Sequence, residues 1–416
     1  MKAPSGTWRV VKTFEKRGFR AWLVGGAVRD FLQGKVPRDL DVLTCAGEED
    51  ICSLLPGALR IGRKGGVSFL VTMDGWKSEI TSTGGKSLVE ELGRRDFTVN
   101  AMAMGQDGTI IDPFDGRKDL EGNLLRFTGD PLKRLQEDPV RAIRFCRFAS
   151  ILGMRTEEKA CHVIRKFSRT LPAASPQRVG REILLSAESR SLTAFFTLAR
   201  DLGLADIYDF SPPAGEDSPS RRDRVQLGEH VMEPLGELEK KECHPRLTLA
   251  MFYLLEIAGN AGKWEPEAFP PAKLSVLREH MEACAWPRDM VRDILQICRY
   301  TAVLMGDCPD RSLFSLLEAP EEDVREDAFT LAKFLSSRLG KDIRIQQERK
   351  ERLLRMKKNM FREDLVLTGS EIIRALGCDP GPEIGRIKRE ITFLVAMGKI
   401  RSREQSLEKA REIMTS

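Results

Sequence analysis

Two aspartates two positions apart, Asp39 and Asp41, flank the start of a short apolar segment with strand character, Leu40–Thr44. Successive strand side chains point to opposite faces, so carboxylates at this spacing share one face. Adjacent carboxylates repel each other and are poor for stability, but they are good ligands for a divalent cation. The pair therefore predicts a metal site. For an isolated Asp-x-Asp, the alternative is an exposed strand with local salt bridges.

A glycine pair, Gly25-Gly26, precedes the aspartates and opens a predicted helix. Glycine lets a phosphate approach the backbone closely, and Arg29 one helical turn later can reach a triphosphate. A lone Gly-Gly turn with a surface arginine would mean little by itself. Its position before the paired aspartates predicts nucleotidyl transfer, with the glycines at the triphosphate and the aspartates at the metals.

A third acidic residue, Glu79, lies on the second arm of a predicted hairpin whose turn is Asp74-Gly75. Asp-Gly between two strand-like segments is a strong signal for a two-residue turn. A carboxylate on a strand beside the aspartates completes a catalytic set with Asp39 and Asp41. Two roles remain open for Glu79, namely ligation of a metal and orientation of one of the aspartates.

The block Arg94-Arg95-Asp96-Phe97-Thr98-Val99-Asn100-Ala101 is compact, polar and charged. Asp96 and Asn100 are four positions apart and are predicted to share a helix face. Side chains of these types bind a ribose hydroxyl, or they cap and anchor the element that carries them. Either use requires this composition, so the block alone does not decide between them.

The segment from Glu137 to Arg141 opens a long predicted helix. Asp138 has the character of an N-cap and Pro139 that of a first helical residue. The functional alternative places Asp138 and Arg141, three positions apart, on one face. One accepts and the other donates a hydrogen bond, so together they could read the Watson–Crick edge of a base. Spacing alone favours the cap.

The 416 residues are too many for one ordinary core and predict two to four domains. Residues 1 to about 125 show mixed helical and strand patterns, whereas helical patterns without a convincing strand follow Pro131. The fold class is therefore α+β. Residues 211–224 and 259–273 are predicted breaks. A basic helix-length stretch covers 338–362, and its cations either form a solvated face or contact RNA phosphates.

Composition limits the class of protein. Aromatic residues make up 7% of the chain, which argues against a base-stacking platform, and the net charge of +5 is compatible with RNA. No apolar run reaches membrane-spanning length, and the N-terminus lacks a signal-peptide core. The 9 scattered cysteines do not suggest a disulfide framework. We expect a cytoplasmic protein without a membrane partner.

Together these blocks resemble the class II tRNA nucleotidyltransferases, which are the CCA-adding enzymes, and their relatives the bacterial poly(A) polymerases. The resemblance is dense from Ala21 to about Glu182 and returns at 365–385, where LTGSEIIRALGCDPGPEIG is similar to the family's tail segment. Between 190 and 335 only the helical character matches. The matching segments, in order, are LVGGAVRDFLQG, DLDVLT, RRDFTVNAMAM, IDPFDGRKDLEGNLLRFTGDP and RLQEDPVRAIRFCRFA.

The resemblance implies a seahorse-shaped protein. Its head, 1–125, contains a palm-like sheet similar to that of DNA polymerase beta, and the helical neck (126–200), body (201–335) and tail (336–416) follow. The resemblance implies Mg²⁺ at Asp39 and Asp41. It also makes Asp138 and Arg141 the template that reads CTP or ATP, which reverses the preference for a cap. The implied nucleotide-binding residues are Gly25, Gly26, Arg29, Arg95, Asp96, Asn100, Asp138, Arg141 and Arg144.

Two further implications concern the helical part of the chain. The segment SPQRVGRE, residues 175–182, resembles the helical motif that braces the neck. The tail is implied to bind tRNA, and Arg349, Arg352 and Lys357 of the basic stretch are the candidates for that contact. Oligomeric state stays undetermined.

One departure from the family bears on the product. Relatives follow the hairpin glutamate with a Thr-Thr-Phe-Arg-like stretch, whereas here Glu79 precedes ITSTGGKS, without the arginine, and the span to Arg94 is short. Complete CCA-adding enzymes carry a flexible loop there, and enzymes that add only CC look shortened. Two outcomes remain open: CC addition with a partner enzyme that adds A, and full CCA addition through a compensating element.

The expected activity is transfer of CMP, with AMP left open, from CTP or ATP to tRNA 3′ ends with release of pyrophosphate. The alternatives are a bacterial poly(A) polymerase and an inactive tRNA-binding protein on the same scaffold. The missing arginine and the tRNA-binding type of tail weigh against the polymerase. The intact carboxylates weigh against the inactive binder, which needs no metal ligands.

Overall fold

The computed structural model divides the chain into two compact units, Met1–Asp209 and Phe210–Ser416. Each unit is described by itself. The structure describes residues 5–37, 39–62, 67–73, 75–168, 174–204, 232–241, 243–258, 271–318, 321–362 and 364–415. No helix among them is long and apolar enough to cross a membrane.

A seven-stranded sheet in the order β3-β4-β5-β2-β1-β6-β7 forms the centre of the first unit. Strand β2 lies in the middle, antiparallel to β1 and parallel to β5. Strands β4 and β5 form the predicted hairpin, with Met73 opposite Trp76. The strands are β1 (Ala21–Val24), β2 (Leu40–Thr44), β3 (Leu59–Ile61), β4 (Ser68–Met73), β5 (Trp76–Ser82), β6 (Ala103–Met104) and β7 (Ile110–Ile111).

Helices cover both faces of this sheet because its strands carry apolar side chains on each side. Val42, Phe69 and Ile80 pack with Phe14 of the first helix on one face. Trp22 and Leu43 pack with Leu92 on the face that also carries Asp41. The helices of this region are α1 (Ser5–Glu15), α2 (Gly26–Leu32), α3 (Glu48–Leu54), α4 (Leu88–Gly93) and α5 (Gly116–Glu121), with a 3₁₀ turn at Thr98–Asn100.

The rest of the first unit is mainly helical. The expectation that no strand follows Pro131 is wrong in one place, because a short strand runs parallel to β8. Gly153 adopts a left-handed conformation that ends the preceding helix, and the extended chain then donates from the Arg155 amide to the Asn123 carbonyl. The elements are β8 (Leu124–Leu125), α6 (Pro131–Glu137), α7 (Val140–Leu152), β9 (Arg155–Thr156), α8 (Glu158–Phe167), α9 (Pro176–Glu188) and α10 (Leu192–Asp201).

An aromatic cluster packs α7 against the chain that leaves the sheet. Phe127 stacks on Phe145 with ring centroids 5.3 Å apart, and Phe97 contacts Phe148 edge-on at 5.2 Å. Phe97, Phe127 and Phe145 are all fully or almost fully buried. Aromatic pairs at these distances contribute beyond their buried area. The cluster therefore holds α7 beside the Arg94–Ala101 block.

The second unit is helical throughout the part that the structure describes. Most of the basic stretch predicted over 338–362 forms α17, although Arg338 itself ends the helix before it. Residues 259–270 of the second predicted break lie outside the described residues, and 271–273 begin a helix. The break predicted at 211–224 lies outside the described residues. The helices are α11 (232–239), α12 (Pro245–Ala258), α13 (Pro271–Ala283), α14 (Arg288–Met305), α15 (Asp310–Ser315), α16 (Glu322–Arg338), α17 (Arg344–Met360), α18 (Gly369–Leu376), α19 (Pro382–Ala396) and α20 (Arg403–Thr415). A sheet-bearing unit followed by helices confirms the α+β class.

Candidate active site

Asp41 and Glu79 lie side by side on the sheet. They are direct partners in the parallel pairing of β2 with β5, so their side chains leave the same face. Asp39 lies just before β2 and is exposed. Partial burial raises the pKa of the Asp41 carboxyl, the negative charges of Glu79 and Asp39 raise it further, and Arg95 opposes them. Three carboxylates, those of Asp39, Asp41 and Glu79, therefore lie close together with one neighbouring cation, Arg95.

This arrangement fits a divalent cation that is shared with a substrate. Within the described ranges, no group of three or more His, Cys, Asp or Glu side chains is gathered closely enough to form a complete metal cage. Mg²⁺ is usually held by one or two carboxylates together with substrate phosphates, and it does not need such a cage. Asp39 and Asp41 are the residues that would hold it, with Glu79 beside Asp41.

The glycine pair allows a close approach of side chains as well as of backbone. Gly25 has a φ of +75°, a left-handed value that disfavours other residues. A Cβ on Gly25 would lie 3.0 Å from Asp41 Oδ2 and would overlap the guanidinium of Arg95. Arg95 Nη1 is 3.5 Å from that same oxygen. Gly25 is therefore needed so that Arg95 can lie against Asp41.

The side chain of Arg29 is buried and bound to neighbouring side chains, whereas the sequence predicted that it would reach a triphosphate. It is 9% exposed, and its Nη1 donates to Asn100 Oδ1 at 2.7 Å. Its Nη2 donates to Asp30 Oδ1 at 2.8 Å. The guanidinium thereby ties the first turn of α2 to the Arg94–Ala101 block. Sequence spacing could not show this partner, because Asn100 is 71 residues away.

The Arg94–Ala101 block is not the α-helix on which the predicted shared face depended. Helix α4 ends at Gly93, Phe97 is extended and bridges to Phe127, and Thr98–Asn100 is a 3₁₀ turn. Asp96 and Asn100 nevertheless meet, since Asn100 Nδ2 lies 3.4 Å from Asp96 Oδ1. The two side chains are therefore neighbours, but the shared helix face that their spacing predicted is not formed.

Arg144 extends this network onto α7. Its Nε and Nη2 both donate to Asp96 Oδ2, at 2.8 and 2.6 Å, and its Nη1 lies 3.5 Å from Glu182 Oε1. Glu182 also pairs with Arg147. Burial lowers the pKa of the Arg144 guanidinium, but Asp96 and Glu182 outweigh burial and raise it. A continuous polar chain therefore runs from α2 to α9.

The proposed base readers, Asp138 and Arg141, are joined by a backbone hydrogen bond from the Arg141 amide to the Asp138 carbonyl at 3.1 Å, but their side chains have different partners. Arg141 Nη1 donates to Glu137 Oε2 at 2.7 Å and to the Arg134 carbonyl at 3.0 Å. Asp138 ends α6, and Pro139 rather than Asp138 is the N-cap residue of α7; Asp138 Oδ1 nevertheless accepts the Val140 amide at 3.2 Å, as a capping carboxylate does. The cap and the base-reading role are compatible, because that bond uses only part of the carboxylate.

Asp138 has a partner that the site prediction missed. Arg178 of α9 binds it in a bidentate manner, Nη1 to Oδ1 at 2.9 Å and Nη2 to Oδ2 at 2.6 Å. Partial burial of Asp138 raises its carboxyl pKa, but the hydrogen bonds and charge of Arg178 outweigh burial and lower it. The available signal was the position of Arg178 within SPQRVGRE, the segment that resembles a neck-bracing motif.

The span after Glu79 is short and anchored. Strand β5 continues to Ser82, whose hydroxyl donates to the Ala46 carbonyl at 2.7 Å. The Thr83 amide donates to the Thr44 carbonyl at 2.8 Å, and Ser87 then caps α4. This span is therefore hydrogen-bonded to the end of β2 and leads directly into α4.

The three cations predicted to contact tRNA, Arg349, Arg352 and Lys357, bind other residues of the second unit. Arg349 donates to the carbonyls of Leu304 and Gly306, Arg352 pairs with Asp310, and Lys357 Nζ lies 2.8 Å from Glu322 Oε1. These residues attach α17 to its neighbours. The exposed face of α17 instead carries Arg355 and Lys358.

The arrangement just described, a sheet with carboxylates at its central strand and a glycine turn beside them, is similar to that expected for nucleotidyl transfer. Residues 21–83 and 71–126 match the model of the poly A polymerase head domain. The CC-adding tRNA nucleotidyltransferase of Halalkalibacterium halodurans is 36% identical over 203 residues, which are 49% of this chain and 53% of that enzyme. The chain thus spans about half the length of that relative.

Two comparisons cover almost the whole chain. The CCA-adding enzyme of Enterococcus faecalis is 26% identical over 427 residues, covering 96% of this chain and 93% of that enzyme. The crystal structure of the Bacillus stearothermophilus CCA-adding enzyme in complex with CTP matches with a TM-score of 0.70 at 24% identity, covering 100% of this chain and 99% of the other. The chain therefore has the fold of that enzyme, and its residues 21–126 are similar to the poly A polymerase head domain.

Proposed function

We propose that this protein transfers CMP from CTP to the 3′ ends of tRNA and releases pyrophosphate. The observation that carries the proposal is the placement of Asp41 and Glu79 as strand partners with Gly25 and Arg95 packed against Asp41. A pure RNA-binding protein gains nothing from carboxylates that repel each other. The relatives named CC-adding and CCA-adding support tRNA as the acceptor.

The reaction needs one bond to form and one to break. The 3′ hydroxyl oxygen of the tRNA attacks the α-phosphorus of CTP, the bond to the bridging oxygen breaks, and pyrophosphate leaves with its electrons while the hydroxyl proton passes to solvent. Asp39 and Asp41 are the proposed metal-binding residues, and bound Mg²⁺ supplies charge neutralisation at the phosphates. Arg95 is the proposed ligand of a phosphate oxygen, and Glu79 is the proposed third carboxylate beside Asp41.

The proposed nucleotide-binding residues divide by position. Gly25 and Gly26 face the triphosphate, and Arg29 acts through Asn100 and Asp30, to which it is bound. Asp96 and Asn100 are the proposed sugar-binding pair; Arg144 holds Asp96, and Arg29 holds Asn100. Asp138 and Arg141 read the base. The proposed head (1–125), neck (126–200), body (201–335) and tail (336–416) follow the family arrangement.

We further propose that addition stops after CC. The span between Glu79 and Arg94 consists of the end of β5, an anchored turn and α4, and so leaves little room for a long mobile loop. A separate enzyme would then add the terminal A. Action on tRNA would place the protein in the cytoplasm.

The test uses a tRNA that lacks its last three nucleotides. We incubate it with the full chain, Mg²⁺ and CTP alone, ATP alone or both, and size the products. We expect two added residues with CTP and no further A when ATP is present. Addition of a terminal A would correct the specificity, and long A tails from ATP alone would assign a poly(A) polymerase. Binding of tRNA without extension would leave an inactive binder.

A further inference from the structure

The face of the sheet that carries Asp41 continues past Glu79 as a row of two exposed leucines. Glu79 is paired directly with Leu70 of β4, and Leu70 with Leu59 of β3, so these side chains leave the same face as Asp41. Leu70 is 37% and Leu59 68% exposed, whereas Phe69, which points to the other face, is fully buried. Because the core lies on that other face, core packing does not account for the two leucines.

The strand order places this apolar row and the glycine turn on opposite sides of Asp41. Strand β1, which leads into Gly25, is the neighbour of β2 on one side, and β5 with Glu79 is its neighbour on the other. In phosphoryl transfer, the attacking and leaving oxygens lie roughly in line across the phosphorus. With the triphosphate at the glycine turn, the attacking hydroxyl therefore arrives from the side of β5.

The spacing of the strands puts the leucines within reach of a nucleotide whose 3′ hydroxyl lies at the proposed metal ligands. Neighbouring strands are about 4.8 Å apart, so Leu70 is about 10 Å and Leu59 about 15 Å from Asp41 along the row. Lys77, two positions before Glu79 on β5, is exposed on the same face and supplies a cation for a phosphate. The leucine side chain forms no hydrogen bonds, so it packs on the flat face of any base without selecting one.

From this geometry we infer that Leu59 and Leu70 form a binding site for the base of the acceptor's 3′-terminal nucleotide, next to the carboxylates where its 3′ hydroxyl reacts. A contact that does not select a base suits this acceptor, because its terminal base becomes cytosine once the first CMP has been added. The inference rests on the proposed function and deepens it, since it names residues that hold the RNA rather than CTP.

The kinetic experiment compares the double change Leu59→Ser with Leu70→Ser against Leu132→Ser and Leu70→Met. Leu132, on α6, is 42% exposed and controls for loss of an exposed leucine. The substrates are CTP and a tRNA that lacks its last three nucleotides. For the double change, we expect kcat/KM for the tRNA to fall about tenfold while the KM for CTP stays unchanged. Leu132→Ser and Leu70→Met, which keeps an apolar side chain, should match the unmodified chain.

Cross-linking locates the base without any variant. When the same tRNA ends in 4-thiouridine, irradiation with the unmodified chain should attach it to a peptide that contains Leu59 or Leu70. A cross-link confined to other segments, or an unchanged kcat/KM for the tRNA in the double change, would overturn the inference while leaving CMP transfer intact.

Other occupants of the row give different results, and each would also overturn the inference. A higher KM for CTP in the double change would assign the row to the incoming nucleotide. A dimer of the unmodified chain that the double change dissociates, measured by sedimentation, would assign the row to a second copy. No CMP transfer by the unmodified chain would instead refute the proposed function, and the inference with it.

Discussion

At the scale of single residues, Asp41 shows the conflict between stability and function most directly. Its carboxyl pKa is raised by partial burial and by the negative neighbours Glu79 and Asp39. A raised pKa means that the ionised form is less favourable in the folded protein than in the unfolded chain. Wherever the carboxyl is ionised in both states, the Asp41 carboxylate therefore lowers the free energy of unfolding.

Asp41→Asn should abolish CMP transfer and leave the fold intact. We expect a loss of at least about a thousandfold in kcat/KM and a Tm equal to or above that of the unmodified chain. Extension assays and thermal unfolding measure the two effects. An active Asp41→Asn protein would refute the assignment of the site. A clear drop in Tm would show that Asp41 is mainly the salt-bridge partner of Arg95.

Gly25 is the second residue with a specific prediction. Gly25→Ala places a Cβ at a φ of +75° and a ψ of −141°, which costs about 1–3 kcal/mol, and it forces Arg95 away from Asp41. Gly85 also has a positive φ, +83°, but its Cβ position is open, so Gly85→Ala adds backbone strain without a clash. We expect a Tm decrease in both variants but a raised KM for CTP only in Gly25→Ala. Equal kinetics in the two variants would mean that the approach of Arg95 is irrelevant.

Sequence reasoning succeeded for residues whose neighbours are set by local geometry. Asp41 and Glu79 could be placed together because each lies on a strand with a clear apolar pattern. The partners of Arg29 and Asp138 could not be found in this way. Asn100 is 71 residues from Arg29, and Arg178 is 40 residues from Asp138, so only the folded chain brings them together.

At the scale of elements, Glu182 joins α9 to α7. It is 4% exposed and contacts both Arg147 and Arg144. Glu182→Ala would leave Arg147 partly buried without its carboxylate, which costs about 3 kcal/mol or more. We expect a Tm decrease of about 10 °C, measured by calorimetry. Glu188→Ala, an exposed change on the same helix, is the control and should unfold like the unmodified chain.

The cations on the two faces of helix α17 differ in exposure, so their substitution should affect tRNA binding differently. Lys357 is paired with Glu322, whereas Arg355 and Lys358 are exposed. If α17 contacts tRNA, loss of Arg355 and Lys358 together should weaken binding by about tenfold and flatten its salt dependence. Filter binding across a salt series measures both. Lys357→Ala is the comparison. If Lys357→Ala weakens tRNA binding more than the double change does, the tRNA contact lies on the face that was first predicted.

Element types were largely predictable, and the exceptions have physical causes. The hairpin β4–β5 followed from Asp74-Gly75, and α7 followed from its apolar spacing. The 3₁₀ turn at Thr98–Asn100 replaced a predicted helix because Phe97 is held extended by its bridge to Phe127. Strand β9 was missed because two residues carry no periodic signal.

At the scale of the whole molecule, the α+β class followed from the change in pattern near Pro131. The boundary between compact units did not, because it depends on contacts within the region up to Asp209 rather than on composition. Those contacts include the polar chain from α2 to α9, whose members are spread over more than half of that unit. No local window of the sequence contains enough of them to show the grouping.

The aromatic cluster has a consequence for how the chain can be divided. The region that matches the poly A polymerase head ends at residue 126, one residue before Phe127. A fragment cut there would keep Phe97 but lose Phe127, Phe145 and Phe148, the rings that cover it. We therefore expect that a fragment ending at residue 126 does not fold stably by itself. Transfer of this sheet to another protein would have to bring α7 with it.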